Sequence, residues 1–282
     1  MTEPRVHDDT PCLLGEGPLW HPERGELWWF DILNRTLHGP GARHRLADLS
    51  SAMGWIDRDA ALVAQRGALL RLDLATGAAE RLAGLDEENP VVRPNDGRAD
   101  PWGGFWISTM GLRTEKEAGT VWRYRRGEVR RLLAPITIPN AICFSPDASH
   151  AYFSDTDRGI VWRQPLSDAD GWPAGEAEVF LDLRADGLNP DGAVTDAEGN
   201  VWIALWGAGM VAGFAPDGRR VGEFHVPAKQ SSCPAIGADG TLYVTSAAAG
   251  LSQQDHAFNP GQGRTYAVAA GLPFKPEPRV VL

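Results

Sequence analysis

The amino-acid sequence predicts an all-β fold, a six-bladed β-propeller, over residues 1–282 as a single domain. Three observations predict it: helical periodicity is nearly absent, glycine (32) and proline (21) are abundant, and one turn-and-strand unit recurs along the chain. Glycine and proline suit the tight turns that join many short strands. A single blade cannot bury both of its faces, so the repeats are expected to stack around a common axis.

The recurring unit is a turn containing Asp with Gly or Pro, followed by a strand rich in aromatic and β-branched residues. Its turns recur at intervals of 34 to 49 residues, close to the roughly 40–50 residues of a four-stranded blade. The alternative is a β-sandwich, with strands every ~8–12 residues, which this long, regular interval favours less. We expect the chain ends to share the last blade. The six strands begin at Leu27, Ala61, Phe105, Ala151, Val201 and Leu242.

Charge and hydropathy exclude several classes of partner. The formal net charge is −10 and the isoelectric point is about 5.2, which disfavours nucleic acid and anionic membrane surfaces. No stretch approaches the ~20 apolar residues of a membrane-spanning helix. The polar start, Met1 to Pro4, lacks the basic and apolar regions of a signal peptide. We therefore expect a cytoplasmic protein. Because a closed ring leaves no long exposed strand edge, we also expect a monomer or weak dimer.

Cysteine and histidine show no metal-binding pattern in the sequence. Cys12, Cys143 and Cys233 are isolated and odd in number, without CxxC spacing or an evident disulfide framework. This usage fits a reducing compartment. The seven histidines also lack ligand spacing, so structural or solvated roles are expected for them.

Oxygen-bearing side chains in three separate repeats are candidate metal ligands. Glu16, Asn140 and Asp191 each stand beside Gly, Pro or Ala, where the backbone can approach a ligand closely. Two carboxylates and an amide oxygen are hard donors that suit Ca²⁺, Mg²⁺ or Mn²⁺ and accept Fe²⁺ or Zn²⁺. Each residue also has an ordinary interpretation, as a surface acid, a local cap or a turn. The residue pattern alone leaves these alternatives open.

Four motifs resemble those of the senescence marker protein (regucalcin), gluconolactonase and luciferin-regenerating family. The most specific is RPNDG at 93–97, continued by FWISTMG at 105–111. LGEGPLW at 14–20 resembles the opening motif of the family. Asn140 ahead of SPD at 145–147, and PDG at 190–192 ahead of DAEG at 196–199, are similar to two more. The likeness covers nearly the whole chain, with the motifs in order.

The resemblance implies a propeller with one divalent cation (Ca, Zn, Mg, Mn or Fe(II)) in an axial metal site. By motif match its protein ligands would be Glu16, Asn140 and Asp191. The substrate contacts would be Arg93, Asn95 and Glu115, and the last rests on a loop of variable length. Ala141 stands where the family usually has glycine, so its methyl group is expected to tighten the backbone beside Asn140.

These features predict a lactonase that hydrolyses the lactone of a sugar acid in carbohydrate catabolism, such as glucono-, xylono- or arabinonolactone. A divalent metal acts as a Lewis acid on such a cyclic ester, and Asp191 is the predicted general base for water. Trp206 either packs a sugar face or belongs to the core. The alternatives are a non-catalytic calcium-binding regulator or scaffold, and a propeller enzyme of strictosidine-synthase-like or phosphotriesterase-like chemistry.

Overall fold

The computed structural model describes residues 3–282 and contains six four-stranded sheets. Met1 and Thr2, part of the polar start, lie outside the described residues. In chain order the strands are β1 (Arg5–Asp8), β2 (Gly15–His21), β3 (Glu26–Asp31), β4 (Thr36–Gly39), β5 (Ala42–Arg45), β6 (Ser50–Asp57), β7 (Ala60–Gln65), β8 (Gly67–Asp73), β9 (Ala79–Leu85), β10 (Val92–Ala99), β11 (Phe105–Gly111), β12 (Gly119–Arg125), β13 (Glu128–Ile136), β14 (Pro139–Phe144), β15 (His150–Asp155), β16 (Ile160–Pro165), β17 (Glu178–Asp182), β18 (Asn189–Thr195), β19 (Val201–Trp206), β20 (Met210–Phe214), β21 (Arg220–His225), β22 (Gln230–Ile236), β23 (Leu242–Ala247) and β24 (Thr265–Val268).

The six sheets close into a ring, which confirms the predicted six-bladed propeller. The innermost strands β2, β6, β10, β14, β18 and β22 each contact the next, and β22 contacts β2. Within the first five blades, four consecutive strands pair antiparallel. The last blade has the order β22-β23-β24-β1, with Arg5 opposite Ala267. The start of the chain therefore supplies the outermost strand of the last blade, as expected for chain ends that share it.

The apolar core lies between neighbouring blades. Leu62 and Leu69 of the second blade pack in one cluster with Phe105 and Ile107 of the third. These side chains are fully buried, as expected for the strand residues that recur in the sequence. Burial of both faces of a blade thus depends on the blade on either side of it.

After β24 the chain returns across several blades; we call residues 269–282 the C-terminal segment. The backbone N–H of Val280 donates to the Trp55 carbonyl (2.9 Å), and that of Val281 donates to the Gly103 carbonyl (2.8 Å). Trp55 lies near the carboxyl end of β6. The C-terminal segment therefore covers the carboxyl ends of innermost strands, on the side of the propeller opposite to their amino ends.

Helices are few in the described residues. A single turn of 3-10 helix, Thr156–Arg158, follows β15, and one short α-helix, α1 (Gln253–Phe258), precedes β24. Between residues 3 and 282 no helix has both the length and the apolar character needed to cross a membrane.

Candidate active site

Bulges interrupt the innermost strands where the candidate residues lie. In β2, β10, β14 and β18 the pairing register shifts, so that two residues oppose one on the neighbouring strand. The shifts follow Glu16, Pro94, Asn140 and Pro190. A bulge bends its strand and re-aims the side chains beside it. In these four strands the bulge therefore turns polar side chains away from the usual alternation between the two faces of the sheet.

These side chains meet in one cavity of about 320 Å³ at the beginnings of the innermost strands. Five of the six predicted site residues line it: Glu16, Arg93, Asn95, Asn140 and Asp191. The lining combines polar and apolar side chains, as in many small-molecule sites. The remaining lining residues are Leu14, Leu33, Met110, Thr114, Ile138, Thr156, Trp206 and Ala249.

Glu115 is the predicted site residue that does not line the cavity. Its side chain is exposed, and its carboxylate accepts a hydrogen bond from the Arg113 backbone N–H (2.9 Å). The preceding residue, Thr114, is a lining residue. Trp206 is a partly exposed lining residue, so of its two interpretations the structure favours a ring that faces the cavity.

A chain of hydrogen bonds orients the amides of the site. The Arg93 guanidinium donates to Asn95 Oδ1 (2.8 Å), and Asn95 Nδ2 donates to Asn140 Oδ1 (2.9 Å). Asn140 Nδ2 then donates to Thr156 Oγ1 (2.9 Å), whose hydroxyl donates to the Pro190 carbonyl (2.7 Å). Since the Thr156 hydroxyl uses its proton on Pro190, it can only accept from Asn140. Asn140 Oδ1 is thereby held with one lone pair free.

The carboxylates of the site are held in surroundings that disfavour their charge. Desolvation, followed by the charge of Asp96, raises the pKa of Glu16 to about 8. Desolvation and then the charge of Glu16 raise the pKa of Asp191, which is 5% exposed, well above its usual range. The Arg93 guanidinium acts against both shifts. Two acids that repel each other beside an amide oxygen fit a hard divalent cation, which would relieve that repulsion.

Asp96 is a residue of the site region to which the sequence analysis assigned no role. It is buried, and its carboxylate accepts from the backbone N–H groups of Ile142 (2.6 Å) and Gly97 (2.9 Å). These bonds tie the bulge of β14 to that of β10. Burial raises the pKa of Asp96 to about 6, against the effect of Arg98. Its place in the RPNDG motif was the signal available in the sequence.

We predict that the stability of the metal-free protein falls as pH rises through about 8. An unfolded Glu16 ionises near 4.5 and the folded one near 8, so the folded state binds the extra proton between these values. The stability that this proton contributes is fully present below about 4.5 and is lost above about 8. Thermal unfolding in chelator at pH 6 and pH 9 measures it. A divalent cation should raise Tm more at pH 9, because it competes with protons for the same oxygens.

Glu16→Gln is the matched control for this pH dependence. The variant keeps the shape of the side chain and removes its titration, so the decrease in Tm between the two pH values should shrink. An unchanged pH dependence in Glu16→Gln would assign it to other groups.

Two of the predicted ligands are followed by a residue in the left-handed region. Gly17 has φ +53° after Glu16, and a Cβ there would clash with the Ser51 carbonyl oxygen. Ala141 has φ +55° after Asn140 and is fully buried. Glycine is therefore required at position 17, whereas an alanine is accommodated at 141 with backbone strain.

We predict that Ala141→Gly changes the free energy of unfolding by less than about 1 kcal/mol, because relief of the left-handed strain offsets the lost methyl group. Ala193→Gly is the matched control: Ala193 is equally buried in β18, and its loss should destabilise by about 1–2 kcal/mol. Chemical unfolding monitored by tryptophan fluorescence compares the two. Equal destabilisation would contradict strain at Ala141.

A protein-family model, the SMP-30/Gluconolactonase/LRE-like region, matches residues 14–248 of the chain. This span contains all six predicted site residues and the bulged parts of the innermost strands that carry them. The match covers well over half of the sequence.

Curated relatives and solved structures are similar over nearly the whole chain. A putative sugar lactone lactonase of Rhizobium meliloti (strain 1021) is 41% identical over 282 residues, covering 97% of this chain and 96% of the relative. A 6-deoxy-6-sulfogluconolactonase of Pseudomonas putida is 33% identical over 281 residues, covering 95% of each. The crystal structure of a calcium-binding protein, regucalcin, from Agrobacterium tumefaciens str. C58 has a TM-score of 0.97 at 41% identity, covering 100% of this chain and 98% of that one.

Proposed function

Because this chain belongs to the SMP-30/gluconolactonase/LRE-like family, we propose that it hydrolyses an aldonolactone, such as glucono-, xylono- or arabinonolactone. The lactonase class is confirmed by the relatives named lactonases. The observation that carries the substrate class is one cavity in which Glu16 and Asp191, with raised pKa values, face the Arg93–Asn95 pair. That arrangement offers donors, acceptors and a base to a polyhydroxylated ring.

Arg93 and Asn95 are proposed to bind the hydroxyls of the sugar ring. Each already holds the other in place through the 2.8 Å bond between the guanidinium and Asn95 Oδ1. Fixed donors in a partly apolar cavity discriminate strongly against an analogue that lacks the matching hydroxyl. Trp206 offers a face for the apolar side of the ring. Glu115 remains a proposed substrate contact that would have to turn from Arg113 toward the cavity.

Asp191 is the proposed general base. Its raised pKa makes it a stronger proton acceptor than an ordinary carboxylate, and its place on the cavity lining gives it access to water. Removal of a proton lets the water oxygen bond to the lactone carbonyl carbon. The bond from that carbon to the ring oxygen then breaks, and the ring oxygen takes up the proton, leaving an open-chain aldonic acid.

Glu16, Asn140 and Asp191 are the residues that would hold a divalent cation. When bound, such a cation would supply Lewis acidity toward the substrate carbonyl and a lower pKa for water. Asn140 contributes an oxygen whose direction is set by Asn95 and Thr156. The hard donor set favours Ca²⁺, Mg²⁺ or Mn²⁺ and also accepts Zn²⁺ or Fe²⁺.

The test is acid release from a panel of aldonolactones by chelator-treated protein. Glucono-, xylono-, arabinono- and galactonolactone would each be assayed with each of the five cations, against the spontaneous rate. We expect added metal to restore hydrolysis, and the rates to rank the four lactones and the five cations. The proposal would be overturned if the protein with bound cation hydrolysed none of the four lactones faster than the spontaneous reaction.

A calcium-binding regulator is the second candidate, because the similar Agrobacterium structure is described as a calcium-binding protein. This function predicts tight calcium binding with lactone turnover no faster than the uncatalysed reaction. The same panel therefore separates the two functions.

A further inference from the structure

A second group of metal-ligating side chains lies outside the cavity. The Cys12 thiol, the Asp31 carboxylate and a ring nitrogen of His38 offer three ligand atoms within 4.8 Å of one another. All three side chains are buried, with exposures of 0%, 3% and 5%. None of them lines the cavity that holds Asp191. We call Cys12, Asp31 and His38 the closure cluster, because they lie at the junction of the first and last blades described below.

His38 gives the independent indication of a ligand. Both of its ring nitrogens are buried, and neither has a hydrogen-bond partner among residues 3–282. Buried imidazole nitrogens are normally paired, since an unpaired polar group in the interior costs about 1–3 kcal/mol. The ring is held by stacking on Trp29, with centroids 5.2 Å apart and planes within 10°. A metal bond would satisfy one of the two nitrogens.

The closure cluster lies where the first and last blades join. The Cys12 backbone N–H donates to the Gly263 carbonyl (2.9 Å), and the Cys12 carbonyl accepts from Ala248 N–H (3.1 Å). Asp31 ends β3 and His38 lies in β4, both in the first blade. The three side chains therefore connect the segment that closes the ring to the blade beside it.

The donor types indicate the class of cation. A thiolate, an imidazole and a carboxylate together are the ligand set of tetrahedral zinc sites, whereas calcium and magnesium prefer oxygen alone. Thiolate and carboxylate also balance the two positive charges of the ion. Pro11 and Leu13 on either side of Cys12 are exposed, so the backbone that carries the buried thiol runs along the surface of the protein.

Hydrogen bonds fix the position of the Asp31 carboxylate, while burial keeps His38 neutral and opposes ionisation of the Cys12 thiol. The Asp31 carboxylate is oriented by the backbone N–H groups of Leu13 (3.0 Å), Leu14 (3.2 Å) and Asn34 (3.3 Å) and by the Asn34 side chain (2.7 Å). Burial lowers the pKa of His38, which keeps the imidazole neutral and able to ligate. Burial raises the pKa of Cys12 to about 12, so its thiol must release a proton to solvent when the metal binds.

We propose that Cys12, Asp31 and His38 bind a zinc-class divalent cation that fastens the ring closure of the propeller, separately from the cation of the lactonase cavity. Each Asp31 oxygen already accepts two hydrogen bonds, so ligation replaces the bond from the Asn34 side chain. A water molecule would supply the fourth ligand of a tetrahedral site. The site is proposed to be structural, because its three ligand residues are buried and lie outside the substrate cavity.

Cobalt and zinc titrations of the chelator-treated full chain test this proposal. Co²⁺ is expected to give a thiolate-to-cobalt charge-transfer band in wild type and in Asp191→Asn, and no such band in Cys12→Ser or His38→Gln. Zn²⁺ should raise the Tm of Asp191→Asn and leave that of the double variant Asp191→Asn, His38→Gln unchanged, because the double variant lacks a ligand of each site. Cys143→Ser, which removes another buried thiol, should keep the band.

Three results would overturn the proposal. They are the absence of a thiolate band in wild type, retention of the band in His38→Gln, and loss of all bound zinc in Asp191→Asn. If Cys12→Ser does not fold, His38→Gln alone decides, because it removes an imidazole that has no hydrogen bond to lose within the described chain. Lactone turnover is not the readout, so the two sites are tested independently.

Discussion

Asp191→Asn is expected to lower kcat/KM for lactone hydrolysis by about 10³-fold or more. A positioned general base contributes about 10²–10⁴-fold, and the same carboxylate is a proposed metal ligand. The asparagine keeps the size of the side chain but cannot accept a proton from water. Because the variant also loses one of two mutually repelling acids, Glu16 and Asp191, its metal-free form should unfold at a higher temperature than wild type.

Initial rates of acid release and thermal unfolding in chelator measure the two effects on one preparation. Asp186→Asn is the matched control, since Asp186 is exposed in the loop that leads into β18 and should leave both quantities unchanged. Turnover above about a tenth of wild type in Asp191→Asn would show that another group is the base. A lower Tm together with lost activity would instead indicate a structural defect.

Glu277→Gln is expected to lower the free energy of unfolding by about 3 kcal/mol. Glu277 in the C-terminal segment forms an ion pair with Arg98, and the two side chains are 7% and 6% exposed. Arg98 also donates to the carbonyls of Ile142 (3.2 Å) and Ala193 (2.9 Å), so one guanidinium joins three innermost strands to the C-terminal segment. Removing the negative charge leaves a buried cation that has lost its ion-pair partner.

Unfolding by urea, followed by tryptophan fluorescence, measures this loss, with Glu198→Gln as control because Glu198 is exposed. Since Glu277 lies at the opposite ends of the innermost strands from Asp191, turnover well below Tm should be retained. A decrease in the free energy of unfolding of less than about 1 kcal/mol would mean that the nearby charge of Asp96 is enough to stabilise the Arg98 cation without Glu277.

Much of the fold and part of the site could be predicted from the sequence. Strands such as β11 and β19 combine aromatic and β-branched residues with adjoining Asp-Gly turns, and both signals are local. The family resemblance is confirmed by the match over residues 14–248. Of the five predicted residues in the cavity, Glu16, Asn140 and Asp191 were named as oxygen donors in separate repeats, and the other two by the family resemblance. Their roles as ligands and substrate contacts remain predictions.

Other features depended on contacts that the sequence does not display. Thr156 entered the site through its bond to the Pro190 carbonyl, 34 residues away in the chain. The position of Glu115 depended on the conformation of a loop, where no periodic signal exists. The bulges that aim Asn140 and Asp191 arise from pairing register, which is a property of two strands together.

The sequence by itself determined the repeat, the all-β class, one strand in each blade and the motifs at the beginnings of four innermost strands, β2, β10, β14 and β18. These are properties of short segments, because turn chemistry and strand periodicity act over a few residues. Only the tertiary structure decided which distant residues meet, since closing a ring brings Cys12 beside Gly263 and Arg98 beside Glu277. The charges and burial that tune Glu16 and Asp191 exist only after that closure, because desolvation is a property of the assembled interior.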